Sequence, residues 1–222
     1  MTNSLSDRPE IALEARHLDE QRLFSPSAGR NKDVIAEILS KLLPSETRVL
    51  EIGSGTGEHA VHIVSKRPDL YWIPSDPDAQ SRQSIAAWID HIDTKNIASP
   101  ATLNTKDANW HTNLTENIRA IVSINMIHIA PFEACQGLFS GASVLLPIEG
   151  QLILYGPFSS RGHHVAESNA SFDQSLKSRD PSWGVRDIEN DLLPLAENNG
   201  FTLKQRIAMP ANNKTLEFQK IR

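Results

Sequence analysis

Residues 49–60 read VLEIGSGTGEHA. A short apolar run carrying one acid, Glu51, runs into glycines at 53, 55 and 57, and a helical segment follows. That is a strand, a tight turn and a helix, the unit that opens an α/β sheet. Working outward, SPSAGRNKDVIAEILSKLLP (25–44) predicts a helix with an apolar stripe at Val34, Ile35, Ile38, Leu39 and Leu42, capped by Ser27 or Asn31. Downstream, LYWIPSD predicts a second strand ending in Asp76, DAQSRQSIAAWIDHI a helix, SPATLN a weak third strand and AIVSINMIHI a strong fourth. FEACQGLFSGASVLL is a helix and GQLILYGPF a fifth strand. VRDIENDLLPLAENNG is a helix broken near Pro194, and FTLKQRIAM and TLEFQKI form a closing antiparallel hairpin. The alternation predicts a mostly parallel sheet with helices on both faces. Residues 1–25 are expected to be an N-terminal arm or lid, and 26–222 one domain.

Three ligands compete for the glycine turn. A phosphate-binding loop needs Lys followed by Ser or Thr after its last glycine, whereas Glu58 follows Gly57. A dinucleotide turn has the spacing G-x-G-x-x-G, whereas this one is G-x-G-x-G. Glu58 complements the helix dipole and opposes a pyrophosphate seeking the same positive end. Glu51 suits a cation such as an ammonium or sulfonium, and Asp76, at the tip of the second strand, can take both hydroxyls of a ribose. S-adenosylmethionine (SAM) has those groups and no phosphate. Gly53, Ser54, Gly55, Gly57 and the adjoining His59 complete the expected cradle.

The motifs LEIGSGTGEHA and PSDPD resemble the first two of class I SAM-dependent methyltransferases. With FSPSAGRNK, INMIHIAPFEACQGLFSGA, LILYGPF, SNASFDQSLKSRDPSWGVRD and MPANNKTLEFQK, nearly the whole chain from Phe24 resembles a methyltransferase-like family catalogued as domain of unknown function nine-three-eight. The resemblance implies the class I methyltransferase (Rossmann-like) fold, a seven-stranded sheet, and SAM as cofactor. The family pattern has Leu-Asp after the third strand. Here Leu103-Asn104 stands there, and either Asn104 or Asp107 would meet the adenine amino group.

The acceptor side is expected after the fourth strand. Asn125 could bond cofactor or substrate. His128 could take a proton from a nucleophile, or be a structural histidine bonded to backbone. Arg30, with Asn31, could close over the cofactor and pair with its carboxylate, or be solvated. Tyr155, His163, Asn169, Phe172, Asp173, Trp183, Arg186 and Asp187 are the substrate-pocket candidates, against a bland alternative of core, helix and capping turns. The pair Asn212-Asn213 is accounted for by a turn. Eight histidines raise a metal site, but no cysteine pair or Glu-His signature completes one.

A formal charge of −5 and no basic run argue against nucleic acid. One cysteine, Cys135, permits no internal disulfide, and no apolar run suggests a signal or a membrane span. The expectation is a cytoplasmic monomer that methylates a small molecule. The alternatives are a non-catalytic SAM-binding protein and, more remotely, an NAD-linked oxidoreductase.

Overall fold

The computed structural model describes residues 16–92, 94–114 and 117–222. Residues 1–15 of the expected arm lie outside the described residues. The remainder of it is a short antiparallel hairpin, β1 (His17–Asp19) and β2 (Arg22–Phe24). Its far end is stitched to the domain: Leu23 N–H donates to Ser84 Oγ, and Trp88 Nε1–H donates to the Leu23 carbonyl.

Helix α1 (Pro26–Leu42) starts earlier than either predicted cap, with Ser25 at the N-cap and Pro26 in the first turn. Proline lacks an N–H that would be orphaned there anyway. Arg30 and Asn31 therefore sit inside the helix, not ahead of it. Then come β3 (Arg48–Ile52), α2 (Glu58–Lys66), β4 (Tyr71–Ser75), α3 (Ala79–Ile92), β5 (Ala120–Ile124), α4 (Phe132–Leu145) and β6 (Gln151–Pro157). A small hairpin, β7 (Ser159–Ser160) and β8 (His163–His164), leads to α5 (Glu167–Arg179). The break expected near Pro194 is a π turn, Ile188–Leu192, running into α6 (Leu193–Asn198). The closing hairpin is β9 (Phe201–Ala208) and β10 (Asn213–Lys220).

The main sheet has six strands in the order β4-β3-β5-β6-β10-β9, parallel from β4 to β6 and antiparallel beyond. The expected strand at SPATLN is a correction. On the outer edge of β4, among the described residues, there are only single bridges, Trp72 to Ile97 and Ser75 to Ala101. Pro74 gives that edge a carbonyl, which accepts from Ala101 N, but has no N–H to return.

Alternation along the strands fills two cores. Leu50, Ile52 and Ile121 join Leu138, Phe139 and Phe218 on one face. Val49, Ala120 and Val122 join Ile35, Leu39, Ile63 and Trp72 on the other. Glu51 shares the face of Val49, so this acid is buried by register. Neighbours β4 and β5 lie on opposite sides of β3, which makes the C-terminal end of β3 the point where strand order reverses and ligands bind. Among the described residues no helix is long and apolar enough to cross a membrane.

Candidate active site

A cavity of about 950 Å³ opens at that point. The ends of β3, β4, β5 and β6 form its floor. Arg16, the first turns of α1, one side of α5 and the loop before β10 wall it in.

The turn after β3 is held from below. Gly53 and Ser54 both donate backbone N–H to the Ser75 carbonyl, at 3.0 and 2.9 Å. Gly53 has φ +75°, and a Cβ there would lie 2.7 Å from Met126 Cγ, so both conformation and space demand glycine. Gly57 has φ +91°, and its Cβ would meet the Ile85 backbone at 2.9 Å. Gly57 thus seats α2 against α3 and does not line the cavity, which corrects its place in the expected cradle. Glu58 also has a structural role, since its Oε2 accepts from Ser25 N at 2.6 Å and Thr56 Oγ1 at 3.1 Å.

Glu51 is 1% exposed and lines the cavity. Ser54 Oγ–H and Trp72 Nε1–H donate to Oε2 at 2.7 and 3.0 Å, which leaves Oε1 as the open acceptor. Burial raises its pKa, against those two hydrogen bonds. Asp76 accepts from Gly55 N at 3.0 Å through Oδ2 and from Asp78 N at 2.9 Å through Oδ1. Burial raises its pKa too, while these N–H groups pull the other way. A carboxylate has about four lone-pair sites, so two remain for a diol. Buried carboxylates with open lone pairs, at a turn with no room for side chains, fit the ribose and cationic ends of SAM.

His59 also lines the cavity. Burial pushes it down to about 4, so the neutral ring donates Nε2–H to Asn31 Oδ1 at 2.8 Å. Asn31 in turn hydrogen-bonds the Tyr155 hydroxyl, as does Asn213, and burial raises the Tyr155 pKa. Arg30 lines the wall from α1. Asn104 lines it beyond β4 and accepts from Lys106 N at 3.2 Å; exposed Asp107 does not reach the cavity.

Asn125 follows β5 with φ +62° and lines the cavity beside His128. His128 is fully buried. Arg186 N–H donates to its Nδ1 at 3.4 Å, and burial, then the Arg186 charge, push it down to about 3. A group so weakly basic is a poor acceptor for a nucleophile's proton, which argues against the base role and for the structural one.

The substrate-pocket candidates divide. Tyr155, Asn169, Phe172 and Trp183 line the cavity. His163, Asp173, Arg186 and Asp187 do not, and the last three have structural work. Asp173 accepts from Val185 N and Lys177 Nζ. Arg186 donates to the carbonyls of Ile127, Ala130 and Ser182. Asp187 caps the π turn through Asn190 N and takes Gly162 N. His163 is exposed on β8. Sequence reasoning missed Met126, Lys106, Arg179 and the 210–213 loop as site residues, all of which line the cavity, as does Asn31, expected there with Arg30. Asn212 and Asn213 do form a turn, yet Asn213 also reaches Tyr155.

Solved structures of other proteins share this fold. An O-methyltransferase family protein from Burkholderia thailandensis superposes with a TM-score of 0.73 at 13% identity, over 88% of this chain and 56% of that one. For the mitomycin 7-O-methyltransferase MmcR the values are 0.71, 11%, 87% and 54%. For an O-methyltransferase family 2 protein from Planctomyces limnophilus, solved in complex with apigenin, they are 0.70, 14%, 88% and 60%. The chain spans little more than half the length of these proteins, and the likeness is one of fold: the sheet is that of the class I methyltransferases. A family model described as "Protein of unknown function (DUF938)" matches residues 22–220.

Proposed function

The chain belongs to that family of unknown function, and from this premise we propose that it is a SAM-dependent methyltransferase acting on a small-molecule acceptor. The observation that carries the reading is the pairing of Asp76, bonded to Gly55 N, with the open oxygen of Glu51 in one cavity. The activities for which the structural neighbours are named support it by analogy of fold.

SAM supplies a methyl group already activated by a sulfonium. Asp76 would hold the ribose, Glu51 the ammonium and Arg30 the carboxylate. The cavity walls exclude water and fix the acceptor. Such alignment can contribute about 7–11 kcal/mol to lowering the barrier. Titration calorimetry with S-adenosylhomocysteine tests the cofactor half: saturable binding is expected, and its absence in a folded sample would sink the reading. Labelled SAM with a small-molecule cell extract tests the transfer half. The weak basicity of His128 favours one rival, a SAM-binding protein without turnover. Binding with no transfer of label to any fraction would select it.

A further inference from the structure

Building on the methyltransferase reading, we propose that the N-terminal hairpin is a strap over the cofactor and that Arg16, at its root, is a further cofactor-binding residue whose guanidinium closes over the adenosine half. Placement comes first. Arg16 immediately precedes β1 and lines the cavity. Beyond its chain neighbours, and among the described residues, a Cβ on Gly55 would have one atom within 4 Å, the Arg16 Nη2 at 3.8 Å. Arg16 therefore lies on the open side of the glycine whose N–H holds Asp76. Its charge acts on that carboxylate, the proposed ribose acceptor. A planar guanidinium can donate to ribose oxygens at its edge and lie flat on a purine ring.

The two strands of the hairpin are held differently. β2 and the residue after it are fastened to the glycine turn, and both stitches end on Thr56. Ser84 Oγ accepts from Leu23 N at 2.8 Å and donates to the Thr56 carbonyl at 2.7 Å. Glu58 Oε2 accepts from both Ser25 N and Thr56 Oγ1. Leu23 is buried, Phe24 meets the Trp88 ring edge-on at 4.8 Å, and the Arg22 guanidinium lies 5.1 Å from the same ring. β1 has none of this. All three of its residues are exposed, and among the described residues it pairs with β2 alone. A lone two-stranded ribbon is marginal in water. The inner strand is thus fixed, while the outer one can open at low cost and carry Arg16 off the cavity. A bound adenosine gives the guanidinium a face to rest on, and that contact holds β1 down. The cofactor then sits between two parts of one fastened unit, the glycine turn on one side and Arg16 on the other.

The test uses the full chain and two probes, S-adenosylhomocysteine and 5′-methylthioadenosine, which keeps the adenosine half and lacks the amino acid. By calorimetry, Arg16→Ala is expected to weaken both by a similar factor, about fivefold or more. Arg16→Lys, which keeps the charge but not the plane, is expected to recover only part of the loss. Saturating S-adenosylhomocysteine is expected to slow backbone amide exchange across residues 17–19 about tenfold in the wild type and to leave it unchanged in Arg16→Ala. Unchanged affinity in Arg16→Ala overturns the contact, as does a loss confined to S-adenosylhomocysteine. Bound S-adenosylhomocysteine without slower exchange in the wild type overturns the strap, and that measurement decides without any variant. If neither probe binds the wild type, the cofactor reading fails and this proposal with it; binding that ignores the substitution overturns this proposal alone.

Discussion

Asp76 is the residue at which one substitution tests the proposed cofactor site most directly. Its carboxylate links Gly55 N to Asp78 N and keeps two lone-pair sites for a diol. A hydrogen bond to a charged acceptor contributes about 1.5–3 kcal/mol, so Asp76→Ala should weaken S-adenosylhomocysteine binding by about 10- to 100-fold. Calorimetry checks this, with a melting curve to confirm folding. Residue positions of this kind were legible where spacing constrains them: an acid at a strand tip after a glycine turn falls at the sheet's switch point, and Asp76 lines the cavity there. They were not legible in 159–187. There Asp187 and Arg186 have the composition of a substrate site, yet one caps a π turn and the other clamps three carbonyls. Polar side chains serve caps and pockets alike, and only the fold separates them. The same holds for His128, whose ring meets backbone groups of Gly184 and Arg186, more than 50 residues away.

Among the elements, the helices read well because a 3.6-residue stripe is strong over many turns, as in α1. The edge of the sheet read poorly. SPATLN has strand-like residues, but whether they pair depends on Pro74 in another element. Two glycines show what helix contact adds to propensity. Gly29 in α1 has nothing within 4 Å of its missing Cβ, so Gly29→Ala should stabilise by about 0.5–1 kcal/mol. Gly137 in α4 looks alike in sequence, but its Cβ would fall 1.7 Å from the Thr105 carbonyl. Gly137→Ala should force α4 away from that loop and destabilise by roughly 1–3 kcal/mol. Chemical denaturation of the two variants measures both; equal effects would mean that α4 does not pack as described.

At the scale of the molecule, four buried groups tie stability and ligand affinity to pH. His59 and His128 lie below their ordinary 6.5, at about 4 and about 3, so folding favours their neutral forms. Their stabilisation is complete above pH 6.5 and is withdrawn as pH falls through the folded values. Glu51 and Asp76 run the opposite way. Their pKa values are raised, so their contribution is complete below the ordinary 4.5 and 3.8 and is lost as pH rises. His59→Gln keeps an N–H for Asn31 and removes one titration. Between pH 7 and 4 it should lose about 3 kcal/mol less stability than the wild type, as melts across that range would show. The proposed cofactor site adds the final coupling. An ammonium placed beside Glu51 favours its ionised form and lowers the pKa that burial had raised. Binding at a pH below that raised value must therefore release a proton, and affinity must increase with pH until Glu51 is ionised in the free protein. Calorimetry of S-adenosylhomocysteine from pH 5 to 8, in buffers of different ionisation enthalpy, reads both the affinity and the proton count. Glu51→Gln should abolish most of the pH dependence. If it leaves the slope intact, the ammonium lies elsewhere in the cavity.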